Sequence, residues 1–384
     1  MTILAAIIAA SWLLALLRTL INLRAVPRLG AHDAASSSQR LSVVIPARNE
    51  GRVIGRTVRA LLAQTYANFE VIVVNDRSTD DTGAVLKAID DERLIVIDGH
   101  EPPPGWLGKP WALAQGSARA RGTLLLFVDA DVIYRDPTAL ASTVAHFESS
   151  GTAMLALLPN FELETIGERI AMPQLAMTIF CFFPLWLANR TAIAIIGIGG
   201  GPGNLIRRDV YESLGGHTAL KDAVIDDVGL ARLVRRSGRP TRIARADALI
   251  TLRMYEGTRE IVHGFTKNAF AAFSRSYLVA FTAVVLMLLF NVMPFVVALG
   301  VFHNGISTLE WLSIAAVLFI TLTRLVLFVA LRYGIVNALL FHLPMTAVWT
   351  WIVLRSIWRT GVRRQMEWRG RTYDAAQTKF GADR

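Results

Sequence analysis

From Ser276 to Leu309 the chain carries no Asp, Glu, Lys or Arg. A stretch that long and apolar is expected to form a helix across a bilayer, since about 20 residues suffice for one crossing. A short polar turn at His303–Ser307 is expected to follow that span. Two further apolar runs come next, Trp311–Leu331 interrupted by Arg324 and Tyr333–Leu354 interrupted by Pro344. At the other end, Thr2–Leu17 is uncharged and the pattern continues through Arg18 to about Leu23, with Arg24 and Arg28 immediately after. A signal peptide carries its positive charge before the apolar run and a small-residue cleavage site after it. Here the order is reversed. Residues 1–24 therefore read as an uncleaved anchor whose C-terminal end faces the cytoplasm; a short hydrophobic-core helix is the alternative.

The tail holds Arg355, Arg359, Arg363, Arg364, Arg369 and Arg371 against one acid, Glu367, before Tyr373. Basic flanks stay on the cytoplasmic side, so a cytoplasmic middle domain requires an even number of C-terminal crossings. Three runs are one too many, and Tyr333–Leu354 with its Pro344 is the segment expected to be re-entrant or interfacial. Only 18% of the 384 residues are charged, against about 25% in a soluble domain. The net charge is +10, but the arginines gather beside apolar segments. Anionic lipid headgroups, not nucleic acid, are the expected partner. The single cysteine, Cys181, excludes an internal disulfide, and no Cys/His cluster suggests structural zinc. The apolar fraction, 53%, excludes disorder.

Residues 40–250 have a different texture. Leu41–Pro46, Glu70–Asn75, Arg93–Ile97 and Thr123–Asp129 read as buried strands, alternating with helical patterns near Arg52–Gln64, Asp80–Asp90 and Pro110–Ala120. Such alternation predicts an α/β fold with a mostly parallel sheet, and such sheets bind ligands at the carboxyl ends of their strands. Inside this region Met172–Leu187 is apolar, punctuated by Pro173 and Pro184 and flanked by Arg169 and Arg190. It is short for a span, so residues 167–190 are expected to lie in the bilayer interface, a buried core helix being the alternative. Residues 251–276 would be an interfacial connector, 277–357 the C-terminal transmembrane helices and 358–384 a basic cytoplasmic tail.

Polar residues cluster at the expected strand ends. The first strand runs into Pro46-Ala47-Arg48-Asn49-Glu50, and the second into Asn75-Asp76-Arg77-Ser78-Thr79-Asp80. A carboxylate at Asp76 can accept hydrogen bonds from a ribose or base edge; Asp80 could instead cap the next helix. In Gly105-Trp106-Leu107-Gly108-Lys109-Pro110 the proline suits a first helical position, which puts Lys109 where free N–H groups favour an anion. The fourth strand ends in Asp129-Ala130-Asp131. Two carboxylates at the end of a buried strand are costly unless compensated. A divalent cation, Mg²⁺ or Mn²⁺, holding a diphosphate is a natural compensation; an ordinary strand-to-helix turn is the alternative for each element alone. There is no Walker A loop and no Gly-x-Gly-x-x-Gly after a strand, which disfavours a P-loop nucleotidase and a nicotinamide oxidoreductase.

In order and spacing these elements resemble family 2 inverting glycosyltransferases of the GT-A fold, over about residues 40–245. The stretch from Pro102 to Gly116 resembles the hopene-associated (HpnB-like) and carotenoid glycosyltransferase branch, and ceramide glucosyltransferases more distantly. The resemblance implies that Pro46, Arg48, Asn49, Glu50 and Asp76 line the nucleotide of a sugar donor, with UDP expected. It further implies that Lys109 lies near the diphosphate, and that Asp129 and Asp131 engage a divalent metal. Asp226-Asp227 matches the family's second acidic motif, with Asp227 the general base; a helix N-terminus is the other reading of that pair, and both can hold. The loop Gly199–Gly203 falls where the family places acceptor and sugar contacts.

One departure stands out. The Gln-x-x-Arg-Trp motif of processive members is absent, which favours transfer of a single sugar. Arg259 or Lys267 could take that motif's role toward pyrophosphate or could meet lipid headgroups, and His263 reads as structural. The expected acceptor is lipid-like: a hopanoid, carotenoid or other membrane lipid, with a polyprenyl phosphate as the alternative. A transporter or scaffold with an inactive domain is the rival from another class. Its argument is Arg324, because a charge within a span often marks a pathway.

Overall fold

The computed structural model describes residues 1–30, 37–273, 276–300, 306–362, 365–368 and 371–374. Its contacts separate two units. Val26–Glu162 and Trp186–Met254 make up an α/β unit, while Met1–Ala25, Leu163–Leu185 and the described residues from Tyr255 onward make up a largely apolar helical unit that opens with α1 (Thr2–Ala25).

The α/β unit is built on β1 (Leu41–Ala47), β2 (Phe69–Asn75), β3 (Leu94–Asp98), β4 (Leu124–Phe127), β5 (Val132–Tyr134), β6 (Met154–Leu158), β7 (Asn160–Phe161), β8 (Asn204–Arg207), β9 (Thr241–Arg245) and β10 (Ile250–Leu252). Seven of these form one sheet in the order β3-β2-β1-β4-β8-β6-β9. All neighbours run parallel except β8, which is antiparallel to both β4 and β6. A small sheet, β5-β10-β7, sits alongside. The strands are apolar on both faces because both faces are covered. Val43, Ile45, Val71, Val73 and Leu126 enter one core, and Val44, Ile72, Leu125 and Ile206 the other.

Helix formation follows the apolar spacing. The segment α2 (Gly51–Leu62) buries Ile54, Val58, Leu61 and Leu62 on one stripe against the sheet. The pattern expected over Asp80–Asp90 contracts to a helix over Thr82–Lys87. Asp80 stays outside because its carboxylate accepts from the Thr82 N–H and hydroxyl and from the Gly51 N–H, the competition that makes Asp a cap or turn residue.

Among the described residues, three helices are long and apolar enough to cross a membrane: Thr2–Ala25, Tyr277–Ala298 and Thr308–Ala330. The run Tyr333–Leu354 instead splits into Ile335–Leu340 and His342–Ser356. The second of these continues directly into a π-helix over Ile357–Val362. Among the described residues, two of these long helices follow the α/β unit in sequence. Most of His303–Ser307 lies outside the described residues, as do Arg363, Arg364, Arg369 and residues 375–384 of the tail; Gln365–Trp368 and Arg371–Asp374 pair as an antiparallel hairpin.

Met172–Leu187 is broken into Pro173–Met177, Thr178–Phe182 and Leu185–Ala188. Phe183, preceding Pro184, is extended, as the pyrrolidine ring demands of its predecessor. The freed carbonyls of Phe180 and Phe183 accept from the Asn22 amide, both at 2.8 Å. Residues 163–185 thus pack with the apolar helices, burying Met172, Met177, Phe180 and Cys181 and leaving Phe182 exposed.

Arg324 is 1% exposed. Its Nε donates to the Ala338 carbonyl and its Nη2 to the Asn337 carbonyl, both at 2.7 Å, and its Cζ lies 4.6 Å from the Phe328 ring centre. The guanidinium thus satisfies carbonyls that a broken helix leaves open in an apolar setting. This is a structural clamp that removes the main argument for a transport pathway. Arg324→Leu is expected to cost about 3 kcal/mol or more, two charge-assisted hydrogen bonds at ~1.5 kcal/mol or above each, read as a lowered midpoint of thermal unfolding in detergent. Unchanged unfolding would contradict the clamp.

Candidate active site

Two segments distant in sequence meet at the carboxyl end of β4. The helix α4, which follows α3 (Thr82–Lys87) and spans Gly108–Arg119, begins after an extended Leu107 with no side-chain cap. Its first N–H groups are therefore open to a ligand. The Leu107 N–H donates to the Lys221 carbonyl at 2.7 Å, tying this start to the chain just before Asp226. Lys109, the second residue of α4, places its Nζ 2.7 Å from Asp129 Oδ1 and 3.3 Å from Asp226 Oδ1. Asp226 and Asp227 open the helix Asp226–Arg236, so the pair is both an acidic motif and a helix N-terminus. Asp131, half-buried, follows two residues after Asp129 and leads into β5.

The charges within this cluster divide the two neighbouring acids. Burial works against the Lys109 ammonium, but Asp129, Asp226 and Asp227 together hold it well above the ordinary lysine range. Burial likewise opposes ionisation of Asp226, yet the Lys109 charge and the His217 ring keep its carboxyl below the ordinary value. Asp227 moves the other way. Burial and the adjacent Asp226 charge push it up to about 6. The two neighbouring acids thus differ in how readily they take a proton, the kind of separation that acid–base chemistry uses.

Glycines set how closely the chain can approach these acids. A Cβ on Gly201 would sit 2.0 Å from Asp129 Oδ2, and one on Gly199 would sit 2.1 Å from the Asp227 carbonyl oxygen. The Asp129 N–H donates to the Gly201 carbonyl at 2.8 Å. The glycine loop therefore wraps both acidic motifs, and only residues without a side chain fit there.

The first two strand ends are laced together. Asn49 has φ +54°, which asparagine tolerates better than most residues. Its Oδ1 accepts from the Thr79 N–H at 2.8 Å, and its N–H donates to Ser78 Oγ at 3.0 Å. Arg48 Nη1 donates to the carbonyls of Asp76 and Arg77 at 2.7 and 3.2 Å. The Glu50 N–H donates to Thr82 Oγ1 at 2.8 Å. Asp76 is 2% exposed, whereas Pro46, Arg48, Asn49 and Glu50 are half-buried. Arg48 and Asn49 are thus already engaged in bracing the two loops. Arg259 and His263 are exposed on the helix Gly257–Ala272 of the apolar unit, and the Lys267 side chain lies outside the described residues.

Two residues that sequence patterns do not single out complete the cluster. The Tyr211 hydroxyl lies 2.8 Å from His217 Nδ1 and 3.0 Å from Ser117 Oγ, and His217 Nε2 faces Asp226 Oδ2 at 3.8 Å. The one sequence signal is Gly215-Gly216, whose φ values of +78° and +52° turn the chain to deliver His217.

Among the described residues no group of three or more His, Cys, Asp or Glu could hold a metal alone. The donors that are present still fit one. Asp129 and Asp131 are hard oxygen ligands, Asp129 sits in a cradle that a Cβ at residue 201 would fill, and Mg²⁺-type sites commonly combine one or two carboxylates with substrate phosphates.

This is the arrangement of a GT-A-like enzyme: a mostly parallel sheet with acidic groups and a lysine at the carboxyl end of its central strands. Residues 42–215 match Glycosyl transferase family 2. The chain carries a family 2 glycosyltransferase domain and is a glycosyltransferase. It is similar to the 4,4'-diaponeurosporenoate glycosyltransferase of Staphylococcus aureus strain USA300, with 25% identity over 360 residues, 91% of this chain and 92% of that protein. The corresponding protein of strain N315 is 25% identical over 347 residues, 88% of this chain and 89% of the relative. Among solved structures, the mannosyltransferase PcManGT from Pyrobaculum calidifontis, in complex with GDP-Man and Mn²⁺, superposes with TM-score 0.56 at 17% identity, covering 94% of this chain and 99% of that one.

Proposed function

We propose that the protein is a membrane-bound inverting glycosyltransferase that moves one sugar from a nucleotide donor, UDP-linked by expectation, to the hydroxyl of a lipid-like acceptor, with its catalytic domain in the cytoplasm at the inner membrane. The observation that carries this reading is the Lys109 ammonium between Asp129 and Asp226, with Asp227 beside them. One place thereby holds cationic charge for a departing diphosphate and a carboxylate able to take a proton. Asp227 removes the acceptor hydroxyl's proton as the oxygen attacks the anomeric carbon from the side opposite the diphosphate. Lys109 and the open N-terminus of α4 offset the charge that develops on the leaving group. A divalent metal held by Asp129 and Asp131 would add Lewis-acid stabilisation of the same diphosphate. Pro46, Arg48, Asn49, Glu50 and Asp76 shape the nucleotide cleft, Arg48 and Asn49 by bracing its two loops.

An apolar acceptor fits the surface around the base. Ile193 and Ile195 are 48% and 73% exposed on the segment that runs into the glycine loop against Asp227. The bilayer spans and the basic flanks, which would meet anionic lipids, bring the reaction to a membrane surface, and the carotenoid glycosyltransferases similar to this chain favour an isoprenoid-type acceptor.

The test is nucleotide release by the full chain in detergent. UDP- and GDP-sugars would each be offered with carotenoid, hopanoid or polyprenyl phosphate, in Mn²⁺, Mg²⁺ or EDTA. Metal-dependent, lipid-stimulated release giving a glycoside without phosphate is expected. No release with any pair, or an acid-labile phosphodiester product, would overturn the acceptor assignment.

A further inference from the structure

Asp226 is buried, lies next to the proposed base and, among the described residues, makes one bond of ordinary length to a cation, the 3.3 Å contact with Lys109. Its other oxygen faces His217. That ring is itself 2% exposed and is held from three directions. Phe127 of β4 meets it edge-on at 4.8 Å between ring centres, the Tyr211 hydroxyl meets Nδ1, and the His217 backbone N–H donates to that same hydroxyl at 3.1 Å.

The proton count along this row decides what reaches Asp226. Ser117 can donate either to Tyr211 or to the Ala114 carbonyl, each 3.0 Å away. If it donates to Tyr211, the phenol donates to Nδ1, and the neutral imidazole carries its proton on Nε2. If it donates to Ala114, the phenol donates to Ser117, Nδ1–H donates to the phenol, and a proton on Nε2 makes the ring cationic. The neutral Nδ1–H tautomer would set a bare Nε2 lone pair against the Asp226 carboxylate, which that charge disfavours, so Nε2–H is the form that faces it. At 3.8 Å this is an electrostatic contact and not a formed hydrogen bond.

We infer that His217 is a positioning residue for sugar transfer: held by Tyr211, it presents Nε2–H to Asp226 and keeps that carboxylate fixed between Lys109 and the proposed base Asp227. The groups bearing on this row are Lys109 from α4, Asp129 after β4, Asp227 on the same helix, and Glu212 beside Tyr211. The inference rests on the assignment of Asp227 as base. Loss of the Nε2 donor lets the Asp226 carboxylate turn out of its place between Lys109 and the proposed base, which misplaces the reacting groups.

The experiment compares His217→Leu, His217→Gln and Tyr211→Phe in the full chain, reading kcat and nucleotide binding separately. His217→Leu is expected to lower kcat about tenfold, the scale of a small misplacement, with nucleotide binding unchanged. His217→Gln, whose amide reaches the same place as Nε2, should recover to within about threefold of the native rate. A native kcat in His217→Leu, or a Gln variant as impaired as Leu, would overturn the proposal. If His217→Leu no longer binds nucleotide, Tyr211→Phe decides: a lowered kcat with native nucleotide binding supports positioning and a native kcat overturns it. A native rate in Asp227→Asn would remove the base assignment separately, whichever way the His217 variants fall.

Discussion

Asp227→Asn is expected to bind the donor nucleotide as the native protein does and to lose about 10³-fold in kcat, within the range that removal of a general base costs. Asparagine keeps the shape and can still accept the Val228 N–H that Asp227 Oδ1 accepts at 2.7 Å, so folding and donor binding are spared. The native enzyme should show the complementary pH profile. Burial and the neighbouring Asp226 charge raise Asp227 to about 6. The reactive carboxylate is therefore present above that pH and lost below it, so kcat falls toward tenfold per unit on the acid side. The residual rate of the Asn variant should lack that limb. Turnover measured from pH 5 to 8 on both proteins checks this, and an Asn variant within tenfold of native would place the base elsewhere.

Lys109→Met has the second-largest expected effect and splits two observables in opposite directions. Methionine preserves the length of the side chain but removes the ammonium that lies 2.7 Å from Asp129 and 3.3 Å from Asp226. Without it the leaving diphosphate loses a positive neighbour, and kcat/KM should fall about 10²-fold or more, comparable to losing one preorganised donor. In the nucleotide-free protein, however, that same ammonium repels a divalent ion from Asp129. Mn²⁺ binding, followed by its paramagnetic resonance signal, should therefore tighten several-fold in the variant. Weaker Mn²⁺ binding would mean that Lys109 supports the metal site and does not compete for it.

Much of the α/β framework is legible in the residue pattern because buried parallel strands are apolar without interruption and helices repeat near 3.6 residues. Leu41–Ala47, Phe69–Asn75 and Leu94–Asp98 fall within a residue or two of the expected strands. The long apolar helices are legible for the same reason, while Tyr333–Leu354 divides at Phe341, three residues before its proline. The fate of Met172–Leu187 is not: its composition suits an interface as well as a core, and the carbonyls of Phe180 and Phe183 bonded to Asn22 decide where it packs. Arg324 is similar. A charge in an apolar run reads as a pathway until the carbonyls of Asn337 and Ala338 turn out to be its partners.

Residue order alone specifies which residue types stand at the carboxyl ends of the strands, and hence the class of chemistry, since local patterning sets where strands stop and polar residues begin. Which of those residues share charge was decided only by the tertiary structure. Asp226 and Asp227 are indistinguishable as letters. Their environments separate them, because Coulomb interaction depends on distance in space: Lys109 and His217 face one carboxylate, while burial and that carboxylate's own charge act on the other. His217 and Tyr211, six residues apart in an unremarkable stretch, acquire their place only when the helix Arg208–Ser213 and the turn at Gly215-Gly216 bring phenol, imidazole and carboxylate into one row.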